Sequence, residues 1–63
     1  MVGDEDIWLA AEGLLVAHGA EAVRKCQDLI ATMIARGDKA GQENWTKILT
    51  TVRELQARNR PTP

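Results

Sequence analysis

Few residues in this chain have side chains suited to chemistry. His18 and Cys26 occur once each, Trp8 and Trp45 are the only large aromatic residues, and Asp4-Glu5-Asp6 is the only acidic run. A catalytic histidine needs a nucleophile to deprotonate or a carboxylate to orient it, and no motif places either beside His18. A structural zinc site draws four ligands, mostly Cys and His, and the chain has one of each. One cysteine also excludes an intrachain disulfide. Cys26 shares an apolar helix face with Ile30 and Met33, so it is read as a small, inert, buried hydrophobe. His18 is read as a structural, hydrogen-bonded residue near a helix end, where its cationic form would favour the negative end of the dipole. The acidic run is read as a solvated helix start. No catalytic, cofactor or metal site is expected, and the chain is not read as an enzyme.

These residues must be positioned by 63 residues, one domain at most. A chain of that size buries only about 60% of the surface its unfolded form exposes, and its core supplies roughly 3–5 kcal/mol of net stability. With no disulfide or metal to add, helix packing or a partner subunit must supply the rest. The formal charge of −1 is too balanced for a general nucleic-acid binder. Its distribution is uneven: residues 1–31 carry six acidic and two basic groups, net −4, and residues 32–63 carry six basic and three acidic groups, net +3. Opposite signs at opposite ends suit helix-dipole complementation, an antiparallel arrangement or a head-to-tail contact. The acidic N-terminus does not resemble a signal peptide. The apolar stretch Ile7–Ala17 is interrupted by Glu12 and Gly13 and is shorter than the about 20 residues that a membrane span takes. A cytoplasmic location is expected, and an unpaired cysteine fits a reducing compartment.

Helix is the expected element throughout. Both prolines fall in the last three residues, Phe and Tyr are absent, and Ala, Leu, Glu, Lys, Arg and Gln are plentiful. Helix one is expected over about 4–18, with Asp4 as N-cap and an apolar stripe of Ile7, Trp8, Ala11, Leu14, Leu15 and His18, ended by Gly19. Helix two is expected over about 20–36, with Ala22, Val23, Cys26, Leu29, Ile30, Met33 and Ile34 on its apolar face. Gly37-Asp38 is the clearest punctuation, a C′ glycine followed by an N-cap for helix three over about 38–57. The third stripe is Gly41, Trp45, Ile48, Leu49, Val52 and Leu55, and 59–63 is expected to be a tail. Trp8, Leu15, Ile30, Trp45, Ile48 and Val52 are expected to be largely buried, with Gly41 permitting a backbone or an indole to approach. The architecture is therefore all-α, a small three-helix bundle. The alternative is a long helix continuous through Gly19, hairpinned to helix three and dimerising into a four-helix bundle.

The landmarks Asp4, Trp8, His18-Gly19, Gly37-Asp38, Gly41, Trp45 and Ile48 resemble a family of short alphaproteobacterial proteins of unknown function. Its pattern is Trp, then His-Gly, then Gly-Asp-x-x-Gly-x-x-x-Trp. The resemblance spans about Asp4–Leu55. It implies a compact helical domain and carries no activity or ligand.

Helix one holds the strongest functional signal. Between Ile7 and His18 only Glu12 is charged, and Leu9, Gly13 and Val16 lie opposite the stripe. A helix that is apolar nearly all round is usually covered on two sides, and a three-helix domain covers one. Leu9, Gly13 and Val16 are therefore the expected interface of a non-enzymatic protein–protein interaction module that forms a homo-oligomer, with a further protein partner unspecified and no membrane contact. The alternative is a nucleic-acid-associated regulator, in which a helix-turn-helix uses Arg53, Arg58 and Arg60 on phosphates. Alternating signs along the outer side of helix three count against a basic stripe.

Overall fold

The computed structural model describes residues 3–59, with the backbone alone at Asn59. Three α-helices account for nearly all of them: α1, Asp4–His18; α2, Ala22–Arg36; and α3, Lys39–Asn59. A short 3-10 turn, Gly19–Glu21, joins α1 to α2. The expected all-α three-helix bundle is the observed fold. Helix three continues two residues past Ala57, and the remaining residues of the expected tail, 60–63, lie outside the described residues.

Two helix starts differ from expectation by a residue or two. Gly3, not Asp4, is the N-cap of α1. Gly3 O accepts the first helical bond, from the Ile7 N–H at 3.1 Å, and Asp6 Oδ2 accepts the Gly3 N–H at a long 3.4 Å from the third helical position. Asp4 thereby becomes the first helical residue, and Asp4, Glu5 and Asp6 all sit at the positive end of the dipole. Helix α2 starts at Ala22 rather than Ala20, because the chain needs the 3-10 turn to change direction. Gly19 has φ 54° and ψ −124°, a conformation that side chains disfavour, and its N–H donates to Leu15 O to close α1.

That turn decides between the bundle and the long hairpin. In an unbroken straight helix, Trp8 would lie about 42 Å from Arg36, while Lys47 would lie only about 12 Å along α3 from Lys39. Trp8 and Lys47 instead line one groove. The chain therefore folds back at Gly19, and α3 packs against both other helices while α1 and α2 meet sparsely.

The α2–α3 corner follows the sequence closely. Gly37 is left-handed at φ 71°, ψ 22°; its N–H donates to Ile34 O at 3.0 Å and the Asp38 N–H to Met33 O at 2.9 Å. This pair of bonds is the Schellman arrangement, which satisfies two carbonyls that the ending helix leaves free. One residue later, Asp38 Oδ1 accepts the Gly41 N–H at 2.9 Å and caps α3.

Ile7, Ala11, Ala22, Cys26, Ile48, Val52 and Leu55 form the buried core. Four expected core residues are less covered than the sequence suggested. Leu15, Ile30 and Trp45 are half-buried, and Trp8 is 39% exposed. The fully buried positions on α1 and α2 are instead the small residues Ala11, Ala22 and Cys26, and on α3 Val52. Close helix approach selects small side chains at the centre, and so small a globule pushes large ones towards its rim. Trp8 follows Ile7 by about 100° around the helix, which places it at the edge of the buried stripe. Ile34, at the outer flank of α2, is 57% exposed.

Candidate interaction surface

Three residues opposite the core side of α1 form an uncharged exposed strip. Leu9 is 59% exposed and Val16 89% exposed, and Gly13 lies between them. A Cβ built on Gly13 meets no atom within 4 Å. The sequence-derived strip is thus open to solvent along its length, and no packing among the described residues accounts for the glycine. Glu5, Asp6 and Glu12, all exposed, border it. No Lys or Arg occurs before Arg24, so the surface of α1 is acidic around an apolar stripe.

Gly41 shows the opposite environment. A Cβ there would lie 2.6 Å from Met33 Sδ and 2.8 Å from Asp38 Oδ2. The close neighbours are a thioether and the capping carboxylate, rather than the backbone or indole expected from the sequence. Gly41 therefore serves the α2–α3 seam, and the cap already occupies the amide an anion would seek.

A second surface feature escaped the sequence reading. Asp4, Ile7 and Trp8 of α1 and Lys47, Thr50, Thr51 and Glu54 of α3 line an open groove of about 340 Å³. The α3 contributors are spaced i, i+3, i+4, i+7, a polar helical stripe that was legible had Trp8 not been placed in the core. Thr50 Oγ1 donates to Thr46 O at 3.1 Å and Thr51 Oγ1 to Lys47 O at 3.0 Å. Both hydroxyl protons are thereby committed to the helix backbone.

Cys26 is fully buried, and burial pushes its thiol above the ordinary value, which disfavours the reactive thiolate. His18 is exposed at the last turn of α1, not packed on the apolar face, because the chain leaves the helix immediately after it. Among the described residues no group of three His, Cys, Asp or Glu could hold a metal ion, and no helix is long and apolar enough to cross a membrane. Arg53 and Arg58 are exposed but lie about 140° apart around α3, Glu43, Lys47 and Glu54 fall on the side of Arg58, and Arg60 lies outside the described residues. In comparisons with protein-family models, curated proteins and solved structures, nothing matches the chain.

Proposed function

We propose that this chain is a non-enzymatic interaction module that associates with a second copy through Leu9, Gly13 and Val16. The observation that carries the reading is the exposure of Val16 and Leu9 on either side of a glycine that, among the described residues, no atom outside its own helix backbone approaches. A mid-helix glycine is about 1 kcal/mol worse than alanine, and close approach by another helix is a compensation that uses the missing side chain. A two-fold contact is self-complementary, so one strip serves as both halves. Running antiparallel about a point near Gly13, two α1 helices would set Leu9 of one against Val16 of the other. The arrangement would also add apolar burial to a fold whose core is small. Three residues fall well short of the about 800 Å² per partner of a standard interface, so the association is weak and reversible.

Sedimentation equilibrium across a concentration series tests this. The wild type is expected to shift towards dimer in the micromolar range, and Val16→Glu to remain monomeric with unchanged helicity. A wild type that stays monomeric at high micromolar concentration refutes the reading.

A further inference from the structure

We propose that the groove between the first turn of α1 and the middle of α3 receives an arginine side chain from a partner polypeptide. It lies on a different surface from the outer strip of α1, so the two proposals stand or fall separately. Five of the seven lining residues offer an acceptor or a π-face. Asp4 and Glu54 contribute carboxylates, and Thr50 and Thr51, having given their protons to backbone carbonyls, can offer a ligand only oxygen lone pairs. Trp8 adds an indole that is 39% exposed. Ile7 forms apolar floor, and Lys47 is the one cationic lining residue.

A ligand suited to this lining must carry positive charge, several N–H donors and a flat face. Guanidinium has all three: five donors in a planar fork, and a preference for stacking on aromatic rings. An ammonium has the charge but only three donors in a compact, strongly hydrated head. Two carboxylates against one ammonium leave the groove net negative, and Glu5 and Asp6 of the same helix turn add to the field. Because the groove is open, each contribution is modest. A solvent-exposed cation–π contact and an exposed ion pair are each worth up to about 1 kcal/mol, or about fivefold in affinity.

The test uses the intact chain and three capped tripeptides, Gly-X-Gly, in which X is arginine, citrulline or lysine. Nitrogen-15 correlation spectra follow the indole N–H of Trp8, identified by its loss in Trp8→Leu, with the Trp45 indole as internal reference. Protein concentration is held low enough to keep the chain monomeric. The arginine peptide is expected to move the Trp8 signal saturably at about 1–10 mM, while citrulline, the uncharged near-isostere, leaves it in place. Glu54→Gln is expected to weaken binding by about two- to fivefold and Lys47→Gln to strengthen it by a similar factor. The proposal is overturned if citrulline or lysine binds as well as arginine, if the Trp8 signal does not respond, or if Lys47→Gln weakens binding.

Discussion

Gly13 and Gly41 both lie inside helices, yet one faces open solvent and the other a wall of atoms. A Cβ at Gly13 would meet no atom of the described residues beyond its own helix backbone, whereas one at Gly41 would collide with Met33 and with the carboxylate that caps α3. The same residue type therefore marks a finished contact in one region and an uncovered surface in the other. The α2–α3 corner satisfies its own backbone and seats a glycine against a thioether, and farther along the same two helices Cys26 and Val52 are fully buried. Helix α1 contributes Ile7 and Ala11 to the core and leaves Trp8, Leu9 and Val16 substantially exposed. Glycine in a helix is informative only once its surroundings are known.

The contrast can be broken most forcefully at Trp45. Trp45→Ala removes the largest side chain of α3 from the seam; as the indole is half-buried, a loss of about 3 kcal/mol is expected, the low end for such truncations. Most of the stability of so small a domain would go with it. A urea titration that shows less than about 1 kcal/mol of change would mean the seam is not where stability resides.

The corner itself offers a sharper probe. Asp38→Ala should cost about 0.5–2 kcal/mol by removing the cap. Gly41→Ala should also destabilise, because its methyl displaces the same carboxylate. The two changes should be less than additive, since the second has no cap left to disturb. Fully additive effects in thermal melts of the three variants would separate Gly41 from the cap.

Gly13→Ala should act in the opposite direction. The methyl enters empty space in the monomer, so monomer stability should rise by up to about 1 kcal/mol. Self-association should weaken at the same time. A variant that is more stable and equally associated would show that the glycine has no role in the contact.

The smallest effect concerns Cys26. Burial raises its folded-state pKa, so the folded form holds the thiol proton where the unfolded form has begun to release it. Stability should be flat in this respect below about pH 8 and fall as pH rises through the ordinary thiol range near 8.5. Cys26→Ser should remove that alkaline component. An unchanged alkaline slope would assign it to other groups.

Much of the fold was legible because its signals are local. Gly37-Asp38 encodes the stop and start of two helices within one dipeptide, and the structure realises both caps there. The exposure of Leu9 and Val16 also followed from periodicity, because 3.6 residues per turn fixes which side chains lie opposite a stripe. What periodicity could not supply was depth. Trp8 and His18 fall on the apolar side of α1, yet the first sits at its edge, where the path of α3 decides how much is covered, and the second at its end, where the chain turns away. The groove beside Trp8 was hidden for the same reason. It unites residues 4–8 with 47–54, and nothing local encodes a juxtaposition produced by the fold-back at Gly19.

Concentration-dependent amide spectra of the intact chain test most directly the claim that the outer face of α1 is the contact surface. Signals of Leu9, Gly13 and Val16 should move progressively between low and high micromolar protein, while those of Gly41, Trp45 and Val52 stay fixed. Spectra that do not change with concentration, or changes centred on Ile34 and the outer flank of α2, would contradict it.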